Sequence, residues 1–285
     1  MGYDLAGRKV LVTGGSAGIG AALAEGFAAR GATVGICGRR TDRLAEVLER
    51  LQAHAPGSRS WAVDLADLDA VDDFAARADE ELGGIDVLVN NAGIPKRRWA
   101  WELTPDVVEQ VMAINYLSPV RLTLALLPAL VARSGRIVTI SSVAARLSPP
   151  AESAYSASKA ALTAFFEGLA VDLAVAKVDV GVHVVNPGVI DTELFSLPDN
   201  DESLADVEAL PVTAMVEPVV AMLDAGTFEI YVPDWFTGVV PAKFPDTGAF
   251  LQGSADYARQ RLVDLGRPTP APTVAAQAPT GPGGR

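Results

Sequence analysis

Cysteine is almost missing from this sequence. Cys37 stands alone, which excludes an intramolecular disulfide and any cysteine-rich metal cluster. Its place in an apolar run marks it as a small core residue rather than a reactive thiol. Histidine is nearly as scarce. His54 and His183 lie far apart, and no metal-ligand spacing exists. Positive charge is outweighed, with 23 Lys and Arg against 35 Asp and Glu, a net charge of −12. So acidic a surface repels phosphate backbones and argues against nucleic acid as a partner. Long apolar runs are also lacking. The stretch Leu122 to Ala132 is too short to span a bilayer, and no apolar segment precedes Arg8-Lys9 as a signal peptide would. A cytoplasmic protein without a transmembrane segment is expected.

What is present is apolar residues in quantity. They make up 49% of 285 residues, enough to bury the core of one large domain. Lys9 to Thr13 reads as a buried strand, and Gly14-Gly15-Ser16-Ala17-Gly18-Ile19-Gly20 as a glycine-rich turn opening a helix that Gly31 closes. Strand, glycine turn and helix offer backbone N–H groups to a phosphate. Ala32 to Cys37 predicts a second strand, followed by Gly38-Arg39-Arg40 and a helix from Thr41. In a dinucleotide fold this strand end meets the adenosine ribose. Two arginines, with no acid, favour the 2′-phosphate of NADP over the hydroxyl of NAD, which remains possible.

Ser60 to Val63 predicts the third strand, ending in Asp64-Leu65, where Asp64 either meets an adenine amino group or caps the next helix. Ile85 to Val89 predicts the fourth, leading into Asn90-Asn91-Ala92-Gly93. Lys96-Arg97-Arg98 reads as a solvated basic loop, the alternative being that it attracts an anionic group at the active-site rim. A long helix follows from Thr104-Pro105 to about residue 132, with Asn115 inside it. Gly135 to Ser141 predicts a strand ending in hydroxyls at Ser141-Ser142. Tyr155 and Lys159 then share one face of a helix that runs to Lys177. A positive charge there would lower the phenol's pKa and create a proton donor and acceptor near neutral pH, although Tyr-x-x-x-Lys alone arises by chance in many helices. A sixth strand, Val178 to Val185, is broken by Asn186-Pro187-Gly188. Residues 192–212 read as a mobile lid, Phe228 to Val232 as a last strand, and 266–285 as a disordered Pro/Gly-rich tail. Alternating strands and helices imply an α/β doubly wound parallel sheet in a single domain, residues 1–265, with a C-terminal extension.

The glycine turn from Thr13 to Gly20, Asn90-Asn91-Ala92-Gly93, Asn115, Ser142, Tyr155, Lys159 and Pro187-Gly188 together resemble the short-chain dehydrogenase/reductase family, over roughly Leu5 to Leu194. Beyond Thr192 the match weakens and the family's frequent Asp-Gly-Gly ending is absent. The resemblance implies a Rossmann fold and an oxidoreductase. It implies Asn115, Ser142, Tyr155 and Lys159 as catalytic residues: Tyr155 exchanges the proton, Ser142 orients the carbonyl, Lys159 assists both tyrosine and ribose, and Asn115 holds a water. It also implies cofactor contacts from Gly14, Ser16, Gly18, Ile19, Gly20, Arg39, Arg40, Asp64 and Leu65. Further contacts come from Asn91, Ala92, Gly93, Tyr155, Lys159, Pro187, Gly188, Ile190 and Thr192.

An NADP-dependent interconversion of a ketone or aldehyde and an alcohol is the leading expectation. An acyl-thioester reductase (carrier-protein or CoA) and a non-catalytic NADP-binding redox sensor are the alternatives. Leu147, Ile190, Leu194, Phe195 and Leu197 suggest an apolar small-molecule substrate. Apolar surface on the helices 104–132 and 155–177 predicts a homodimer or homotetramer.

Overall fold

The computed structural model describes residues 3–193, 197 and 199–272. In chain order the strands are β1 (Lys9–Thr13), β2 (Thr33–Gly38), β3 (Arg59–Ala62), β4 (Val87–Asn90), β5 (Arg136–Ile140), β6 (Gly181–Pro187), β7 (Ile190–Asp191), β8 (Leu210–Pro211) and β9 (Glu229–Val232). The principal helices are α1 (Gly18–Ala28), α2 (Thr41–Gln52), α3 (Leu68–Leu82), α4 (Pro105–Met112), α5 (Ser118–Ala132), α6 (Ala144–Leu147), α7 (Ser153–Ala176), α8 (Val216–Ala225), α9 (Phe236–Val239) and α10 (Thr247–Asp264).

Seven strands form one parallel sheet in the order β3-β2-β1-β4-β5-β6-β9. Side chains alternate between its faces because a strand has a period of two. Val10, Val12, Val34, Ile36, Val87 and Val89 enter one apolar layer with Leu23, Phe27 and Leu44 of α1 and α2. Leu11, Leu88, Ile137 and Val184 enter the other, with Phe74, Leu122, Leu126 and Phe166 of α3, α5 and α7. Burial on both faces explains why the central strands read as continuous apolar runs. Cys37 is fully buried on the second face, and burial pushes its thiol up to about 12, so it is inert core.

The expected long helix from residue 104 to 132 is present as a continuous helical run, Pro105–Ala132, but it is not α-helical throughout. A π-helical turn, Ala113–Leu117, joins α4 to α5 and carries Asn115. The whole helical run Pro105–Ala132, 28 residues, has the length and apolarity to cross a membrane, which the stretch 122–132 lacked by itself. In this fold Leu122, Leu126 and Leu130 of that run are buried in the second core layer. Asp64 does not cap α3. That place belongs to Asp67, which accepts from Asp69 N, whereas Asp64 accepts from Ala66 N in a local turn. Beyond β9 the chain adds α9 and α10. The short parallel pair β7 and β8 closes the segment between residues 191 and 210 at its ends.

Candidate active site

The strand order reverses between β1 and β4. In a doubly wound sheet the crevice at that switch point is where a ligand binds. Here the two strand ends are clipped together. Thr13 Oγ1 donates to Val89 O at 3.3 Å and accepts from Asn91 N at 2.9 Å and Ala92 N at 3.0 Å. Asn91 Nδ2 returns a bond to Thr13 O at 2.9 Å. The glycine turn passes hard against this clip. A Cβ at Gly14, whose φ is +65°, would stand 2.9 Å from Ala92 Cα, and one at Gly20 would stand 2.4 Å from Gly14 O. Ala17, at the N-cap of α1, has no side-chain acceptor for the first-turn N–H groups. Those donors and the positive end of the helix dipole face the crevice together.

Asn115 works at the next junction. From its π-turn it accepts from Ile94 N at 2.8 Å and donates to Ile94 O and Ser158 Oγ, both at 3.0 Å. Ser158 Oγ in turn donates to Tyr155 O at 2.7 Å. The amide thus ties the segment after β4 to α7. Lys159, one turn beyond Tyr155, is buried. Its Nζ donates to Ile140 O at 2.8 Å and lies 5.9 Å from the Tyr155 ring centroid. An ammonium has three N–H groups, so Nζ keeps donors for a ligand. Burial lowers the Lys159 pKa to about 8.

Lys159 does not lower the Tyr155 pKa in this arrangement, contrary to expectation. Burial pushes the phenol up, and the nearby Glu152 carboxylate adds to that. The Ser142 hydrogen bond and the Arg97 charge pull it down by less. The phenol is held protonated. Glu152 itself is raised to about 7 by burial, against the opposing charge of Arg97.

A cavity of about 1050 Å³ joins these groups. Its wall runs from Gly14, Ser16, Gly18 and Ile19 past Arg39, Arg40, Asp64 and Leu65 to Asn91, Ala92 and Gly93. It continues over Ser142, Tyr155 and Lys159 to Pro187, Gly188, Ile190 and Thr192. Gly20 and Asn115, both expected at the site, do not line it. Gly20 lets α1 approach the clip, and Asn115 holds the frame behind the wall. Leu194 and Phe195 lie outside the described residues.

Several wall residues were not expected. Lys96-Arg97-Arg98 is not a solvated loop. Lys96 Nζ meets Asp199 Oδ2 at 2.6 Å, Arg98 pairs with the same carboxylate, and Arg97 is 4% exposed with Nε donating to Asp201 O at 2.8 Å. Its partners lie about a hundred residues away, so no local pattern announces them. Phe250, Gly253, Ser254 and Tyr257 of α10 complete the far wall. Tyr257 accepts from Asp206 N at 2.9 Å and donates to Leu204 O at 3.2 Å, which fastens the 199–209 segment beneath α10. The i, i+4, i+7 stripe Phe250, Ser254 and Tyr257 was the available signal. Trp235 and Phe236 stack at 3.8 Å beside it.

The donors present suit a dinucleotide. The N–H groups at α1 are uncapped, Nζ of Lys159 has spare protons, and Thr192 Oγ1, on a cavity-lining residue, is buried with no partner among the described residues.

A fold with this order and a site with these residues define a dehydrogenase class. The family model for short chain dehydrogenases matches residues 8–202. The chain belongs to that family. It is 42% identical over 192 residues to the Bos taurus dehydrogenase/reductase SDR family member 7B, covering 65% of this chain and 58% of that protein. It is 39% identical over 202 residues to the Xenopus laevis protein of the same name, covering 68% and 61%. The matches thus span about three fifths of these relatives' length. Among solved structures, a Burkholderia cenocepacia short chain dehydrogenase in complex with NADP has TM-score 0.71 and 31% identity, covering 80% of this chain and 97% of that one. An Agrobacterium tumefaciens 3-oxoacyl (acyl-carrier-protein) reductase with NADP bound also has TM-score 0.71 and 31% identity, covering 80% and 93%.

Proposed function

We propose that this chain interconverts a ketone or aldehyde and the corresponding alcohol, with NADP as the preferred coenzyme and Tyr155 as acid and base. The observation that carries the reading is the single cavity of about 1050 Å³ that joins the glycine turn to Ser142, Tyr155 and Lys159. A nicotinamide, when bound, supplies or accepts the hydride. The protein handles the proton and the oxygen. Ser142 donates to the carbonyl oxygen as negative charge develops on it. Tyr155, kept protonated by burial, gives up its proton to that oxygen in the reducing direction and takes it back in the oxidising one. Lys159 keeps donors for the ribose hydroxyls. Arg39, exposed at the cavity wall with no ion-pair partner among the described residues, supplies charge for a 2′-phosphate.

Beyond Tyr155 the wall turns apolar, with Leu147, Val189, Phe236, Val239 and Phe250. A bulky apolar carbonyl compound suits this end. The thioester alternative loses support, because Asp199 already engages Lys96 and Arg98 of the basic loop that would attract an anionic carrier. The test is Tyr155→Phe assayed with NADPH on a panel of ketones and acyl-thioesters. Turnover should fall by about 10²–10⁴-fold while NADPH still binds. Near-full turnover in the variant would remove Tyr155 from its role, and activity on thioesters alone would reverse the substrate assignment.

A further inference from the structure

We propose that Glu193 sets the margin between NADP and NAD by competing with the coenzyme 2′-phosphate for Arg40. The proposal rests on the NADP reading above and refines it. Arg40 stands at the N-cap of α2, straight after the strand end that faces an adenosine ribose. Its side chain is already engaged. Arg40 Nη1 donates to Glu193 Oε2 at 2.6 Å, and Arg43, on the next turn, places Nη2 3.7 Å from Glu193 Oε1.

Glu193 reaches this position because the chain crosses the phosphate-binding turn just before it. Thr192 Cγ2 lies 3.4 Å from where a Cβ at Gly18 would stand. Arg40 and Glu193 both line the cavity. The bond from Arg40 holds the Glu193 carboxyl below its ordinary range, so it is charged at neutral pH. A 2′-phosphate arriving at Arg40 therefore meets a carboxylate of its own sign on the same guanidinium. It must displace that carboxylate or share the arginine against repulsion. A ribose with a free 2′-hydroxyl brings no such charge and pays neither penalty. Arg39 is outside the pair and keeps the overall preference for NADP. Glu193 narrows it.

The experiment uses the full chain. NADPH and NADH are titrated by fluorescence, and 2′-phospho-AMP and AMP by competition, against the native protein, Glu193→Gln, Arg40→Ala and the double variant. Glu193→Gln should bind NADPH and 2′-phospho-AMP about fivefold tighter, the scale of one exposed ion pair, and NADH within about twofold of native. In the Arg40→Ala background that gain should shrink below about twofold, since the two residues act as one unit. NADPH affinity unchanged or weakened by Glu193→Gln would overturn the proposal, as would an equal gain for NADH. Failure of the underlying reading is seen in the native protein alone, as NADH binding equal to or tighter than NADPH. Both side chains are about half exposed, so the exchange leaves the core untouched.

Discussion

Asn115 has its whole amide committed to holding the segment after β4 against α7, and none of it to the cavity. Asn115→Ala would leave Ile94 N and O and Ser158 Oγ without these partners in a buried place. A loss of about 1–3 kcal/mol is expected, read as a lower midpoint in urea unfolding together with weaker NADPH binding. If binding weakened with no loss of stability, Asn115 would be a ligand and not a brace. Glu152 gives a second prediction. Its pKa rises from 4.5 to about 7 on burial. The folded protein therefore holds that proton more tightly than the unfolded chain does. The stabilisation is complete below the unfolded pKa and is lost as pH rises through about 7. Glu152→Gln cannot ionise, so its Tm should exceed the native value by a few degrees at about pH 8. The gap should close toward about pH 5, where most of the native advantage has returned. A constant gap would mean Glu152 is charged throughout. That Tyr155, Lys159, Ser142 and the glycine turn stand together was legible in the sequence because their patterns are local: a helix spacing, a strand end, a run of small residues. Glu152 and Arg97 were not. Each takes its character from burial, which only the assembled walls create.

At the scale of elements, the π-turn explains why an amide sits well inside a helix. The wider turn carries Asn115 to Ile94 without breaking the run from Pro105 to Ala132. Helix α10 and the 199–209 segment form the outer wall together, joined by Tyr257 and by the pair Arg261–Asp206. Tyr257→Phe removes both hydroxyl bonds. The expected result is a rise of about three- to tenfold in KM for bulky ketones, with NADPH affinity unchanged, measured by steady-state kinetics beside a coenzyme titration. A fall in NADPH affinity instead would show that the wall supports the coenzyme side. The sheet strands were readable within two residues at most of their ends, since β-branched runs bounded by glycine leave little choice. Helix α10 was not foreseen, because its polar surface dilutes a stripe of three or four residues.

Over the whole molecule, α5 and α7 are, among the described residues, two of the helices that leave apolar side chains open. Val171 and Val175 of α7 are 61% and 79% exposed, and Leu124 of α5 is 51% exposed. A second copy of the chain is the expected cover. Val175→Asp should convert a dimer to monomers in sedimentation velocity, and a native protein that sediments as a monomer would refute the assembly.

The bonds between Thr13 and Asn91 close 78 residues of chain. A molecule that grips both sides of that closure meets its site only after β1 and β4 have paired, so it binds the native state and ignores the unfolded one. Thermodynamic linkage then adds RT ln(1 + [L]/Kd) to the free energy of unfolding, about 2.7 kcal/mol when ligand stands at about a hundred times Kd. For such a ligand the melting temperature rises with its concentration.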